Sequence, residues 1–316
     1  MAMETMEAIA LRGEGGWSQV RRRIGKSKYY YAMFLVPLVY FILFCYVPMF
    51  GIVIGFKNYS VFSGIWGSPW VGLKYFREFL SDPYFYKLIR NTLTIGLYHI
   101  VFSFPAPIVL ALLLNELKHR TFKKFVQTVS YLPHFLSTVV VCGILVNFLS
   151  HDGLINQALE WLGLERTQFL MLPEWFRTIY ISSEIWQSVG WGSIIYLAAL
   201  TAVDPQLYEA ARMDGANRWK QMLHVTLPGI MPAIVIMLLF NIGAIMSVSF
   251  EKVLLLSNGS NFETSDIIAT YVYRRGLVSS DFSYATAVGL FNSVIAVVFL
   301  TIGNYLSRKA GETSLW

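Results

Sequence analysis

Long apolar stretches constrain this chain more than any other feature of its sequence. A helix needs roughly 20 apolar residues to cross a bilayer core about 30 Å thick. The chain contains six such stretches: Tyr30 to Phe56, Asn91 to Asn115, Phe125 to Ser150, Thr178 to Val203, Leu227 to Phe250 and Phe282 to Ser307. They predict an all-α, polytopic membrane protein with six transmembrane helices.

The composition leaves no room for a large soluble domain. Hydrophobic residues make up 55% of the 316 residues and charged residues 14%, a balance typical of polytopic membrane proteins. We expect one membrane domain, residues 29–309, between a cytoplasmic N-terminal segment, residues 1–28, and a cytoplasmic tail, residues 310–316. The first apolar run is much longer than a signal-peptide core of about 7 to 15 residues. We therefore expect the first helix to be retained.

Lysine and arginine are concentrated on one side of the predicted spans. If the N-terminus is cytoplasmic, that side receives Arg21, Arg22, Arg23, Lys26, Lys28, Lys118, Arg120, Lys123, Lys124, Arg212, Arg218, Lys220, Arg308 and Lys309. The positive-inside rule then predicts that both termini are cytoplasmic. This distribution also accounts for the formal net charge of +6, so we expect membrane lipid and no nucleic acid as partners.

Catalytic and metal-binding motifs are missing from the sequence. Residues 25–27 imitate the end of a phosphate-binding loop, but Val20 stands where that motif needs glycine. His99 and His134 lie inside spans, and we expect them to bond neighbouring helices rather than a metal. The two cysteines fall in different spans and suggest neither a disulfide nor a metal site. We expect a non-enzymatic chain that binds no metal or cofactor.

A charged segment, residues 204–228, joins the fourth and fifth spans on the predicted cytoplasmic side. Asp204 is a good N-cap and Pro205 suits the first helical turn, so a helix should begin here. Gly215 should turn the chain in a left-handed conformation. A second short helix, from about Ala216 to Val225, should then leave at an angle. From composition alone, an amphipathic helix lying on lipid is the alternative.

The same segment carries a long motif: Glu209-Ala210-Ala211, then Asp214-Gly215-Ala216, then Leu227-Pro228. On these residues the chain resembles the permease subunits of binding-protein-dependent ABC importers, which share an "EAA" loop. In that family the loop forms the coupling helix that docks into a groove of an ATPase subunit. The resemblance implies that this contact is made by Glu209, Ala210, Ala211, Asp214 and Gly215.

Three further segments resemble the polysaccharide-type branch of the family, which includes alginate-oligosaccharide importers: residues 46–51, 56–59 and 270–277. The resemblance implies a type I ABC importer permease fold in a bacterial inner membrane. It implies half of a translocation path for an oligosaccharide, neutral or acidic. The implied partners are a second six-helix permease subunit, expected to be a different chain, two ATPase subunits that bind ATP and Mg, and a periplasmic or surface solute-binding protein.

Polar and aromatic residues near the middle of the later spans are the candidate substrate path. They are Glu184, Trp186, Gln187, Ser188, Trp191, Tyr196, Asn241, Ser247 and Asn292. Aromatic faces stack on sugar rings and amides bond hydroxyls, although such residues also serve simply to tie helices together. Glu184 stands out because an ionisable group within a span is costly. It either contacts the sugar, gates the outer vestibule, pairs with a cation of a partner subunit or snorkels to the outer edge.

Two other charged pairs lie near the predicted outer side. We expect Glu251 and Lys252 at the boundary of the fifth span, where water is available. Arg274 and Arg275 are interpreted as a solvated turn, with a contact to the binding protein or to acidic oligosaccharides as the alternative.

The competing functions are a self-contained secondary transporter and a membrane enzyme or scaffold. A secondary transporter should carry several intramembrane charges and an inverted repeat, and the spans contain only Glu184. A membrane enzyme should carry clustered catalytic side chains, which the sequence does not show.

Overall fold

The computed structural model describes residues 27–309, and helices joined by loops make up this part of the chain. Within it, β pairing is confined to one isolated bridge between Lys57 and Trp70. The all-α prediction is confirmed. The expectations for residues 1–26, including Arg21, Arg22, Arg23 and Lys26, and for residues 310–316 lie outside the described residues.

The longer helices follow one another along the whole described chain. They are α1 (Lys28–Phe41), α2 (Lys74–Leu80), α3 (Phe85–Tyr98), α4 (Pro105–Glu116), α5 (Arg120–Tyr131), α6 (Thr138–Leu149), α7 (Leu154–Trp161), α8 (Pro173–Leu200), α9 (Pro205–Met213), α10 (Arg218–Gln221), α11 (Met231–Gly243), α12 (Phe250–Leu256), α13 (Ile268–Tyr273) and α14 (Phe282–Lys309). Single helical turns, Gly64–Gly67 and Phe262–Ser265, lie in the loops.

Within residues 27–309, four helical runs are long and apolar enough to cross a membrane: Lys28–Phe56, Phe85–Glu116, Thr138–Trp161 and Phe282–Lys309. A bent pair, Arg218–Gly229 followed by Met231–Gly243 at 62°, would make a fifth. Helix α8 spans 28 residues, which is long enough to cross, but its Glu, Gln and Ser residues reduce its hydropathy. The six-span count is compatible with this arrangement and stays a prediction.

For two predicted spans, the expectation of one continuous helix is wrong. The predicted run Phe125 to Ser150 is broken, because α5 ends in a 3-10 turn, Leu132–Phe135, before α6 begins. Pro133 lies in this turn and lacks an amide hydrogen. The predicted run Leu227 to Phe250 ends as a helix at Gly243, and turns occupy the stretch before α12. Both breaks come close to the candidate site described below.

Proline explains three places where the helices widen. π turns occur at Ile42–Tyr46, His99–Ser103 and Met222–Thr226, and each is followed two residues later by a proline. A proline cannot donate a backbone hydrogen bond and its ring clashes with the preceding turn. The wider π turn accommodates that clash without ending the helix.

The first and last spans cross at close range on one side of the molecule. A side chain at Gly55 would approach the backbone of Ala287 at 3.2 Å. The Ser283 hydroxyl accepts a hydrogen bond from the Tyr59 amide at 2.9 Å and donates one to the Lys57 carbonyl at 2.7 Å. Helix α1 itself has no buried residues. Its apolar surface is therefore available to lipid or to another subunit.

Helix α8 is the centre of the packing. It lies against α4, α5 and the π turn that ends α3. One buried cluster surrounds its first half and includes Phe176 and Tyr180, and a second surrounds its last turns and includes Tyr196 and Leu200. The middle of α8 lies between these two apolar clusters, where its polar residues are found.

Candidate translocation site and coupling segment

A cavity of about 210 Å³ opens beside the middle of α8. Its wall comes from α3 and the following π turn, from α8, and from the end of α11 with the turns after it. The polar side chains of the lining belong to His99, Tyr180, Glu184, Asn241, Ser247 and Ser249. Three predicted path residues, Glu184, Asn241 and Ser247, are therefore brought together on one cavity although they lie on separate elements.

The buried side of Glu184 carries an ion pair that the sequence did not reveal. Lys252 Nζ donates to Glu184 Oε2 at 2.8 Å and to Gln187 Oε1 at 2.9 Å. The Lys252 side chain is 2% exposed and that of Glu184 is 24% exposed. The expectation that Lys252 lies at a water-rich boundary is wrong, whereas Glu251 is exposed. The cation that pairs with Glu184 comes from this chain.

Helical spacing explains how α8 presents these groups. Tyr180, Glu184, Gln187 and Trp191 follow one another at intervals of four, three and four residues, which places them along one face. The Lys252 ammonium also lies 5.9 Å from the centre of the Tyr180 ring. A buried lysine is stable only with such partners, since an isolated buried charge is costly.

Gln187 and Gly190 join α8 to the break in the third span. Gln187 Nε2 donates to the Leu136 carbonyl at 3.1 Å, so both ends of this amide are engaged within the chain. At Gly190 an added side chain would collide with the backbone carbonyl of Ser130. The missing side chain therefore permits the close approach of α8 to the end of α5.

An aromatic stack lies farther along the same face of α8. The rings of His134 and Trp191 are parallel within 4° with centroids 4.6 Å apart, and Phe135 meets Trp191 edge-on at 5.7 Å. Trp191 remains 47% exposed. His134 thus contacts a neighbouring helix through ring stacking, and Trp191 keeps an accessible face.

The other predicted path residues do not join this cavity. Trp186 is 46% exposed on a different face of α8, and Tyr196 is 3% exposed within the core cluster near the end of α8. The Ser188 hydroxyl donates to the Glu184 carbonyl at 2.6 Å. Asn292 lies in a separate, mostly apolar groove of about 500 Å³ beside Phe250 and Tyr273. The side-chain oxygen of Asn292 is buried without a hydrogen-bond partner.

Sequence reasoning missed His99, Tyr180, Ser249 and Lys252 as neighbours of Glu184. Only Tyr180 carried a usable signal, because it precedes Glu184 by one helical turn. Lys252 follows Glu184 by 68 positions, and no periodic pattern links the two. Among residues 27–309, no group of three His, Cys, Asp or Glu side chains is arranged to hold a metal ion.

Arg274 is part of the folded structure and not of a solvated turn, so that interpretation is wrong. Arg274 donates to Asp266 Oδ2 at 2.6 Å, and Asp266 is 4% exposed. Arg275 lies 3.5 Å from Asp281 and 4.8 Å from the centre of the Tyr284 ring. Both arginines connect segments of this chain.

The charged segment, residues 204–228, folds as two short arms around a turn. The Asp204 side chain accepts a hydrogen bond from the Gln206 amide, so it caps α9 as predicted. Gly215 has φ +74°, the left-handed conformation that glycine adopts without a side-chain clash. The second arm begins at Arg218, two residues later than predicted, and continues through a π turn into the bent fifth span.

The two arms of this segment touch where they meet the membrane-spanning part. The Tyr208 hydroxyl donates to Thr226 Oγ1 at 3.0 Å. Helix α9 has no buried residues, and Met213 and Trp219 are 88% and 70% exposed. Glu209, Ala210, Asp214 and Gly215 are exposed and Ala211 is half-buried. The motif residues thus form a free surface of mixed charge and apolar character.

The comparisons with known proteins agree with this architecture. Residues 103–312 match the family model described as "Binding-protein-dependent transport system inner membrane component". The polygalacturonan/rhamnogalacturonan transport system permease protein YteP of Bacillus subtilis (strain 168) is 49% identical over 92% of this chain and 91% of its own length.

Solved structures lead to the same group. A chain of a bacterial ABC transporter involved in the import of the acidic polysaccharide alginate is 42% identical, with a TM-score of 0.86 over 92% of this chain and 99% of that chain. A second structure, of the bacterial alginate ABC transporter in complex with an alginate pentasaccharide-bound periplasmic protein, matches with the same identity and TM-score over 93% and 99%.

Proposed function

We propose a function for this chain on the premise that it belongs to the family of binding-protein-dependent transport system inner membrane components. It is an integral membrane permease subunit of an ABC importer, and its cargo is an oligosaccharide. The cavity beside α8 supports this role, because amide, hydroxyl and imidazole groups converge there on a space of about 210 Å³. Such convergent polar groups in a mainly apolar wall are typical of small-ligand sites.

The cargo is an acidic oligosaccharide. Both alginate and polygalacturonan, named for the similar proteins, are polymers of uronic acids, so each of their sugar units carries a carboxylate. In our proposal Asn241 and Ser247 bond sugar hydroxyls, Glu184 accepts bonds from them, and Trp191 offers a stacking face. The remaining predicted residues support the path through helix packing or through contact with the partner subunit: Trp186, Gln187, Ser188, Tyr196 and Asn292.

The chain forms half of the translocation path and needs partners for transport. A second permease subunit, of a different sequence, completes the path, and a solute-binding protein delivers the oligosaccharide. ATP and Mg bind to two separate ATPase subunits, so this chain is non-catalytic. The protein crosses the bacterial inner membrane six times with both termini in the cytoplasm.

The coupling contact is made by Glu209, Ala210, Ala211, Asp214 and Gly215. Two small alanines permit close approach of the ATPase surface, and Glu209 offers a charge-assisted hydrogen bond. Closure of the ATPase subunits then moves the two-armed segment and, through the bent fifth span, the wall of the cavity. A self-contained secondary transporter needs no such exposed surface.

Reconstitution tests this function directly. The permease pair, ATPase subunits and binding protein are assembled in proteoliposomes, and ATP hydrolysis is measured with oligogalacturonate, alginate oligosaccharide or a neutral malto-oligosaccharide. We expect stimulation by an acidic oligosaccharide and none by the neutral one. Stimulation by the neutral sugar alone would contradict the acidic cargo, and sugar uptake without ATPase subunits would contradict the importer.

A matched pair of asparagines tests the cavity. Asn241 and Asn147 each donate to the carbonyl one helical turn earlier, at 2.8 and 2.9 Å, but only Asn241 lines the cavity. We expect Asn241→Ala to slow oligosaccharide uptake about tenfold, the effect of one lost polar contact to the ligand. Asn147→Ala should leave uptake near the wild-type rate, and an equal loss in both variants would contradict the site.

A further inference from the structure

We propose that Lys252 makes the cavity passable to an anionic sugar by compensating the charge of Glu184. This inference rests on the acidic cargo proposed above. It assigns Lys252 a positioning and selectivity role, because the residue acts through Glu184 and not through contact with the sugar.

The geometry places the two charges of the pair at different depths. Glu184 belongs to the lining of the cavity, whereas Lys252 lies behind it and is 2% exposed. The ammonium contacts Glu184 at 2.8 Å and the Gln187 amide oxygen at 2.9 Å. A sugar that enters the cavity therefore meets the Glu184 carboxylate first. The charge of this carboxylate is already paired with Lys252 on the buried side.

The titratable groups near the pair indicate that Lys252 is the cation that compensates the charge of Glu184. Glu184 is the only carboxylate among the described residues that line the cavity, and His99 and Tyr180 complete its titratable lining. Glu251, next to Lys252 on α12, is exposed and does not line the cavity. Without Lys252, an ionised Glu184 would give the cavity wall a net negative charge.

The size of the effect follows from Coulomb's law. Two like charges about 6 Å apart, with an effective dielectric constant of about 20, weaken binding roughly a hundredfold. Water that enters the cavity screens part of this repulsion, so an effect of about tenfold is expected. That is large enough to decide whether a carboxylate-bearing sugar can enter.

The experiment compares a single and a double variant in the reconstituted importer, with initial uptake of labelled oligogalacturonate as the readout. Lys252→Met removes the cation and keeps the length of the side chain, and we expect uptake to fall about tenfold. The double variant Glu184→Gln/Lys252→Met removes both charges and keeps the hydrogen-bonding capacity of residue 184. We expect it to transport several-fold faster than Lys252→Met, because no unpaired carboxylate is left to repel the sugar.

An ion pair with only a structural role predicts a different result for uptake by the single and double variants. If the ion pair only holds α12 against α8, the double variant loses as much uptake as Lys252→Met, and that result in a well-assembled complex would overturn the charge-compensation role. Size-exclusion chromatography records the yield of assembled complex for each variant. If the single variant fails to assemble, the uptake rate of the double variant still distinguishes charge compensation from a structural role. Wild-type complex that does not import any acidic oligosaccharide would instead refute the proposed cargo, and this inference with it.

Discussion

Two regions of this chain are held in shape by different kinds of contact. We call the first region the distal network, and its contacts join segments far apart in sequence. It consists of the following residues with their partners: Asp82, Asn91, Glu184, Lys252 and Asp266. Asn91 is fully buried and donates to the Asp266 carbonyl at 3.0 Å across 175 positions, and Lys252 reaches Glu184 across 68.

The coupling segment, residues 204–228, depends mainly on short-range contacts instead, and its ion pair between Arg218 and Glu116, at 3.8 Å, is exposed. The caps at Asp204 and Asn217 bond amides two and three residues ahead, and the motif surface is exposed. This contrast indicates that the distal network stabilises the folded chain, and it supports our proposal that the coupling segment is a preformed surface for another protein. Substitutions in the two regions should therefore differ in what they damage.

The largest loss of stability is expected from Gly96→Ala beside the cavity. An added side chain at Gly96 would collide with the Ile245 carbonyl, and overpacking of this kind costs about 3 kcal/mol. In the coupling segment, Gly215→Ala should cost only about 1 kcal/mol, because the cost there is the left-handed backbone alone. Thermal unfolding of the purified complex measures both losses of stability, and equal losses would contradict the contrast between the two regions.

Breaking the buried ion pair should come next. Glu184→Gln leaves the Lys252 ammonium buried without a counter-charge, and we expect a loss of about 2 kcal/mol, reduced from the fully buried case because Glu184 is partly exposed. The double variant Glu184→Gln/Lys252→Met should recover most of that loss, since both charges are gone. Arg166→Gln, which breaks the exposed pairs with Asp152 and Glu160, is the control and should change the stability less than Glu184→Gln.

Asp82 should make the distal network sensitive to acid. Burial alone would raise its pKa, but hydrogen bonds from the Tyr271 hydroxyl, the Tyr84 amide and the Tyr284 hydroxyl hold the pKa below its usual value. The ionised carboxylate thus favours the folded state above the usual pKa of aspartate, and this contribution is lost as the pH falls through the lowered value.

The size of this contribution is small because the site is partly solvated. We expect less than about 1 kcal/mol, seen as a smaller loss of thermal stability on acidification in Asp82→Asn than in the wild type. Identical pH profiles for the two proteins would show that Asp82 does not contribute.

The smallest effect on stability, with the clearest effect on transport, is expected from Glu209→Lys. The residue is exposed and makes part of the motif surface, so unfolding should change by no more than about 0.5 kcal/mol. ATP hydrolysis should become uncoupled from oligosaccharide uptake, because the ATPase contact is damaged. Gln206→Lys places a lysine on α9 outside the motif and should keep coupled uptake. Unchanged transport in Glu209→Lys would remove this residue from the coupling role.

Local signals in the sequence were sufficient for the coupling segment. Asp204, Pro205 and Gly215 act on residues within one turn of themselves, so their caps and the left-handed turn were predictable. The apolar runs likewise predicted helices, because period and length are local properties. The breaks at Pro133 and Gly243 were missed, since hydropathy continues through both and only hydrogen-bond geometry ends the helix.

The candidate site could be predicted only in part. The sequence predicts Glu184, Asn241 and Ser247 as path residues because they are rare polar groups within apolar runs, and the structure brings them together on one cavity. Tyr196 is predicted as an aromatic residue that stacks on sugar, but it lies in the core, because hydropathy does not say which way a helix face points. Lys252 was assigned to water for the same reason.

Local sequence signals were sufficient to predict the helical, membrane-embedded class of this protein and the two-armed segment, because both depend on residues that act on near neighbours. Which polar side chains share a cavity, and which cation neutralises Glu184, became apparent only from the packing of the helices. Those outcomes depend on the packing of helices separated by tens of residues, and a buried charge is stabilised only where that packing brings its partner within hydrogen-bonding distance.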